Sequence, residues 1–269
     1  MNEHAGKIFE GAARHYAQYR APYPKELFED IIEYFNLDGK GSLLDLGCGT
    51  GEITVPLSLH FEKVIGLDPS PDMLEEARER AQKAQAENIV WMERTAEELD
   101  SSFGSFRLTT IARAFHWMNQ NEVLKKIYDL TDSGGGLAII STPGAKQWDQ
   151  DPNPWLKAAK TVVQKYLGPE RKAGITSFDS YRASQKTSAE SIQESPFQNY
   201  EKRPYPYRLE RNIDEVMGLL YSSSYATKRL FGEKVEEFER EVRTELSKLE
   251  PSGRFIEERR VNAYFARKI

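Results

Sequence analysis

Three glycines at alternate positions, Gly47, Gly49 and Gly51, follow the apolar run Leu43-Leu44-Asp45-Leu46 and precede Glu52. Glycine lets the backbone take positive φ and lets a ligand approach where a Cβ would block it. A helix opening behind such a turn offers unpaired N–H groups to that ligand. The pattern is that of a nucleotide-type cofactor turn, and its spacing separates two cofactor classes. Dinucleotide binders need G-x-G-x-x-G to seat a pyrophosphate on the helix. Here Glu52 stands at the third glycine position of that pattern. A carboxylate there would face the pyrophosphate, so NAD is disfavoured. A ligand with ribose and adenine but no phosphate fits better. Asp68, at the end of the next apolar run, supports this, because a carboxylate so placed accepts bonds from both ribose hydroxyls. A solvated helix cap is the competing role for Asp68.

These residues need a parallel sheet to position them. Strands are expected at Ser42–Leu46, Lys63–Leu67, Asn88–Arg94, Phe106–Arg113 and Leu137–Thr142. Helices are expected at Glu52–His60, loosened by Pro56, at Pro71–Ala86, and at Asn119–Asp132, which stops before Gly134-Gly135-Gly136. Alternation with short connections implies an α/β, doubly wound sheet with helices on both faces. Beyond Gly144 the chain turns polar to about Pro196, with helical character in Trp155–Leu167. Phe197–Leu209 carries Tyr200, Tyr205 and Tyr207 among prolines, as an edge or irregular strand does. Ile213–Leu230 is expected to be helical despite Ser222-Ser223-Ser224. Glu233–Leu249 reads as an amphipathic helix with Val235, Phe238, Val242, Leu246 and Leu249 on one side and a solvated outer face. Glu258–Arg267 is the last strand.

At 269 residues the chain is long enough for a full core. Its formal charge of −5 gives no general pull toward nucleic acid or anionic membrane. No apolar run approaches the ~20 residues of a membrane span, and Met1–Glu10 lacks the apolar stretch of a secretory signal. The single cysteine, Cys48, excludes an intramolecular disulfide and fits a reducing, cytoplasmic setting. His4, His15, His60 and His116 are scattered and no cysteine pair exists, so no metal site is expected. Neither a G-x-S-x-G elbow nor a Walker-type loop occurs.

The glycine turn together with Asp68 resembles class I S-adenosylmethionine-dependent methyltransferases, in the small-molecule branch with methyltransferase type 11 domains. The segment from Phe9 to Pro24, with Arg14, Tyr16, Tyr19 and Arg20, is similar to the N-terminal arm of the trans-aconitate-methyltransferase-like group. The resemblance implies a Rossmann-like sheet of seven strands, the last antiparallel, with a helical lid inserted in the C-terminal half. It implies an arm and helix over 1–40, a cofactor core over 41–144, a lid and substrate region with the sixth strand over 145–230, and a C-terminal helix and last strand over 231–269. The implied cofactor is S-adenosylmethionine, with S-adenosylhomocysteine as product. By the same resemblance Gly47, Gly49 and Gly51 line its methionine and ribose portions, Asp68 holds the ribose, and Pro69 and Met73 pack near adenine. Thr95-Ala96-Glu97 would flank the adenine, although many relatives carry Asp at the position of Thr95. Arg113-Ala114-Phe115-His116-Trp117 would lie beside the sulfonium, where relatives often have Gln for Arg113. The arm would close over the cofactor. Arg20 would then bind the methionyl carboxylate, while Tyr16 and Tyr19 shield the centre from water.

Several roles stay open on the sequence. Asp45 either fixes the turn or acts through water near the methionyl ammonium. His116 is a general base or part of the pocket wall. Arg113 is a salt-bridged structural residue or an anion contact. Phe115, Trp117, Tyr205 and Tyr221 are candidates for contact with the acceptor, although aromatics at such spacing more often build a core. A nucleophilic Cys48 is disfavoured. No Asn/Asp-Pro-Pro-Tyr run follows the fourth strand, which argues against nucleic-acid methylation. The expected partner is a small molecule, a carboxylic acid or a natural-product intermediate, with neither nucleic acid nor membrane. The alternatives are a cofactor-binding regulator of the same fold without methyl transfer, and a nucleotide-dependent oxidoreductase.

Overall fold

The apolar runs of the N-terminal half pair in parallel, as burial on both faces demands. The computed structural model describes residues 9–142, 151–170, 172–173, 176–177 and 186–269. Its main sheet contains β1 (Ser42–Leu46), β2 (Lys63–Asp68), β3 (Ile89–Glu93), β4 (Phe106–Ala112), β5 (Thr131–Ser141), β6 (Glu201–Arg211) and β7 (Phe255–Arg267). The spatial order is β3-β2-β1-β4-β5-β7-β6. β1 to β5 run parallel, and β7 lies antiparallel between β5 and β6. The seven-stranded, Rossmann-like sheet with a reversed last strand is therefore the observed fold. Pro204 and Pro206 fall on β6, the outer edge, where a missing N–H interrupts no inner ladder.

Helices α1 (Ala13–Tyr19), α2 (Lys25–Tyr34), α3 (Thr54–Leu57), α4 (Pro71–Ala84) and α5 (Gln120–Leu130) belong to the N-terminal half. The Asp68-Pro69-Ser70-Pro71 run starts α4 as its chemistry suggests. Ser70 Oγ accepts from the Met73 N–H at 3.4 Å, and Pro71 fills the first turn, where its lost N–H costs nothing. The helix after the glycine turn is shorter than expected: α3 holds one turn, followed by a 3₁₀ turn at Ser58–His60. β5 starts earlier than expected and runs through Gly134-Gly135-Gly136, which periodicity alone reads as a loop. The reason is steric. A Cβ on Gly136 would lie 2.3 Å from the Ala266 carbonyl oxygen of β7 and 2.4 Å from the Phe35 ring.

The later helices are α6 (Pro154–Leu167), α7 (Ser188–Gln193), α8 (Ile213–Tyr221) and α9 (Val235–Leu249). α8 begins at a reciprocal cap. Asn212 Oδ1 accepts from the Glu215 N–H at 2.9 Å, and Glu215 accepts from the Asn212 N–H at 2.7 Å. It ends at Tyr221 rather than Leu230, because the Ser222 and Ser223 hydroxyls both donate to the Leu219 carbonyl, at 2.7 and 3.2 Å. Two apolar clusters fill the faces of the sheet. A third is built from α6, α8, α9 and Phe255. α9 buries Phe238, Val242 and Leu246 in that third cluster and turns its charged side outward, while Leu249 is exposed.

The arm connects these bodies. Gly11 donates to Asp72 in the first turn of α4, and Ala21 accepts from Arg113 just past β4. The segment between them therefore crosses the carboxyl ends of β2, β1 and β4. On its other side the Tyr19 ring presses on Gly218 of α8, where an added Cβ would meet it at 2.1 Å.

Gly136→Ala is expected to destabilise the fold by about 2 kcal/mol or more, since the clash is with backbone as well as a ring. Urea unfolding reads this as a lowered midpoint at an unchanged slope.

Candidate cofactor and methyl-transfer site

The glycine turn is pinned from three sides. The Gly47 and Cys48 N–H groups both donate to the Leu67 carbonyl of β2, at 2.7 and 3.1 Å. The Gly49 N–H donates to Asp68 Oδ2 at 2.9 Å, and the Ser70 N–H donates to Oδ1 at the same distance. Asp45 is buried beneath, accepting from the Thr54 hydroxyl at 2.5 Å and the Thr110 hydroxyl at 2.7 Å. These two bonds tie β1 to α3 and to β4 beneath the turn. Gly47 (φ +62°) has no room for a side chain, because a Cβ would stand 2.4 Å from Ala114 Cβ. Gly49 (φ +53°) is different: a Cβ there meets nothing within 4 Å. The open side of the turn lies beside Asp68.

Burial pushes the Asp68 carboxyl up to about 6 against the Ser70 and Gly49 N–H bonds. It does the same to Asp45, against the bonds from Thr54 and Thr110 and with help from the charge on Asp68. Burial also pushes the Cys48 thiol well up, so it stays protonated and is no nucleophile.

The turn after β4 faces the arm. Arg113 sits in the left-handed region (φ +57°), donates to the Ala21 carbonyl at 3.1 Å, and lies 3.6 Å from the Glu52 carboxylate and 4.3 Å from the centre of the Tyr23 ring. The carboxylate that disfavours a pyrophosphate is thus the partner of Arg113. Arg20 stacks on Tyr16 at 5.0 Å and donates to the Ser222 carbonyl at 3.0 Å and the Ser223 hydroxyl at 3.3 Å. Its buried Nε has no partner. An edge-to-face series of rings joins arm to turn: Tyr16 to Phe9, then Phe9 to Trp117, each at 6.2 Å. His116 lies against Trp117 at 4.8 Å.

The other expected site residues have the following surroundings. Phe115 is buried in the core of the sheet with Ala96. The Tyr19 ring stacks on His15 and on Gly218, away from the turn. Tyr205 donates to Asp30 at 2.6 Å within the α2 face, and Tyr221 donates to Glu239 at 2.8 Å within the third cluster. The Glu97 carboxylate accepts from the Asn119 N–H at 2.8 Å, and the Thr95 N–H donates to Glu98. Met73 is buried under the start of α4, and Pro69 is half-buried beside it. Among the described residues no three His, Cys, Asp or Glu side chains gather as a metal site, and no helix is long and apolar enough to cross a membrane.

Residues 43–135 match the family model of a methyltransferase domain. Over these residues the chain is similar to methyltransferase domains. A Dictyostelium discoideum protein named as a methyltransferase is 30% identical over 168 residues, which are 61% of each chain. A probable S-adenosylmethionine-dependent methyltransferase of Saccharomyces cerevisiae is 33% identical over 135 residues, 49% of this chain and 45% of its own. The chain thus spans about half to three-fifths of the curated relatives it matches. In fold it is similar to a methyltransferase from Thiobacillus denitrificans solved with S-adenosyl-L-homocysteine, with a TM-score of 0.53, 14% identity, and 97% and 98% of the two chains covered. It is likewise similar to the YcgJ protein of Bacillus subtilis, with a TM-score of 0.53, 16% identity, and 91% and 99% covered. S-adenosylmethionine is the cofactor of this domain class, and the matched segment here contains the glycine turn and Asp68.

Ribose hydroxyls donate to an ionised carboxylate, and in the ligand-free domain Asp68 takes up a proton as pH falls through about 6. Affinity for S-adenosylhomocysteine should therefore be full above pH 7 and drop up to about tenfold for each unit below 6. Calorimetry at pH 5 and 7.5 checks it, and Asp68→Asn should bind weakly at both.

Proposed function

We propose that this protein is an S-adenosylmethionine-dependent methyltransferase that acts on a small molecule, a carboxylic acid or a natural-product intermediate, by direct methyl displacement. One observation carries the reading: the turn is open at Gly49 beside a buried carboxylate, Asp68, under an arm that crosses it. The chain fits the cofactor on two further counts. Among the described residues, Arg20 has a buried Nε without a partner for a methionyl carboxylate, and each Asp68 oxygen accepts one bond, leaving lone pairs for ribose.

The bound cofactor supplies a methyl group on a sulfonium, already a good leaving group. The work left to the protein is alignment of the acceptor and exclusion of water. Gly47, Gly49 and Asp68 hold the adenosyl part, and Arg20 orients the methionyl end. Tyr16, Phe9 and Trp117 close the space between arm and turn with apolar surface. His116, on the same turn as Trp117, is the candidate to take a proton from an acidic acceptor group, or else forms part of the pocket wall. A carboxylate acceptor needs no base at neutral pH, whereas a hydroxyl does.

Calorimetry with S-adenosylmethionine, S-adenosylhomocysteine and NADH tests the reading. Binding of the two sulfur compounds without NADH is expected; NADH binding alone would overturn it. For His116→Ala, a turnover loss of about a hundredfold marks a base, and a loss below tenfold assigns His116 to the pocket wall.

A further inference from the structure

A run of buried charges extends from the lid to the arm. Lys160 of α6 donates to Asp151 at 2.7 Å, and Arg259 of β7 donates to the same carboxylate at 3.0 Å. Arg259 also donates to Glu257 at 2.9 Å, and Glu257 accepts from Arg211 of β6 at 2.5 Å. Arg211 then donates from Nη1 to the Tyr19 carbonyl of the arm at 2.9 Å. Three cations therefore share two carboxylates. Arg211, Glu257 and Lys160 are 4%, 3% and 6% exposed. A buried guanidinium N–H with no acceptor is costly, and Arg211 Nη2 is such a group. Among the described residues the cluster holds one more cation than carboxylate, and Arg211 has an unmet donor; together they call for an anion.

The surroundings say what kind. Tyr207 and Arg211 lie on the same side of β6, since side chains two and four apart share a face. Tyr207 is half-buried and within the electrostatic reach of Glu257, Arg113, Arg259 and Arg211. No hydrogen bond from its hydroxyl occurs among the described residues. A phenol hydroxyl and a guanidinium are both donors from which a carboxylate accepts. β6 stands four strands from β1, roughly 19 Å at ~4.8 Å per strand. That places the pair away from a cofactor whose ribose rests on Asp68. We propose that Arg211 and Tyr207 bind a carboxylate of the acceptor, so that the substrate of this enzyme is an anion held at the β6 end of the site. The assignment rests on the methyltransferase reading. The arm backbone at Tyr19 lies on the Arg211 guanidinium, so the anion reaches it when the arm lifts.

The test is calorimetric titration of the full chain, saturated with S-adenosylhomocysteine, with glutarate, citrate and benzoate and with their neutral methyl esters. At least one acid should bind, and its ester at least tenfold more weakly. Arg211→Gln should lower carboxylate affinity at least ten times more than it lowers affinity for S-adenosylhomocysteine, and Tyr207→Phe should lower it about threefold. Three results would overturn the site: no acid binding, esters binding as well as acids, or equal losses toward both ligands in Arg211→Gln. If Arg211→Gln does not fold, Tyr207→Phe decides alone. Failure of S-adenosylhomocysteine to bind is a separate outcome. It removes the methyltransferase reading, and the acid and ester titrations without it still decide whether an anion site exists.

Discussion

The buried carboxylate of Asp45 is the constraint on which the site depends. It lies at the end of β1 with 1% of its surface exposed, and its two oxygens take the hydroxyls of Thr54 and Thr110. Those bonds tie the central strand to the first turn of α3 on one side and to β4 on the other. With both ends fixed, the chain from Gly47 to Gly51 must reverse in the space that Ala114 and Leu67 leave, and only glycine at Gly47 allows it. The turn is thereby held in shape by the protein itself, and Gly49 is left with its open side toward Asp68. A preorganised turn of this kind has little left to order when a ligand arrives.

The arm is held by charge rather than by apolar contact alone. Arg113 holds the Ala21 carbonyl, Arg211 holds the Tyr19 carbonyl, and Arg20 reaches out of the arm to Ser222 and Ser223. Hydrogen bonds from charged donors are about twice as strong as neutral ones. The bonds of Arg20 to Ser222 and Ser223, just past α8, and the contact of Tyr19 with Gly218 hold α8 against the arm. The loop after β4 meets the arm through Phe9 and Trp117.

Much of this was legible in the residues. The parallel sheet followed from apolar runs with short helical connections. The cofactor turn followed from glycine spacing, and the edge position of β6 from its prolines. What misled were features whose meaning lies in distant contacts. Gly134-Gly135-Gly136 has the composition of a loop, yet at Gly136 β7 and Phe35 leave no room for a Cβ. Tyr205 and Tyr221, aromatics at a spacing that more often builds a core, have their hydroxyls taken by Asp30 and Glu239 inside packed clusters, partners that their sequence neighbours do not reveal. Glu52 was informative only as a carboxylate unsuited to a pyrophosphate, and its pairing with Arg113 required the fold. Arg211 carried no signal, because its partners lie on β7 and the arm, far away in sequence.

A crystal structure of the full chain with S-adenosylhomocysteine tests the central claim most directly. The account predicts ribose hydroxyls within hydrogen-bond distance of both Asp68 oxygens, the ligand backbone against Gly49, and the carboxylate tail on Arg20 beneath the arm. Density for the ligand outside this turn, or an Asp68 carboxylate that touches only the Gly49 and Ser70 N–H groups when the ligand is bound, would contradict it.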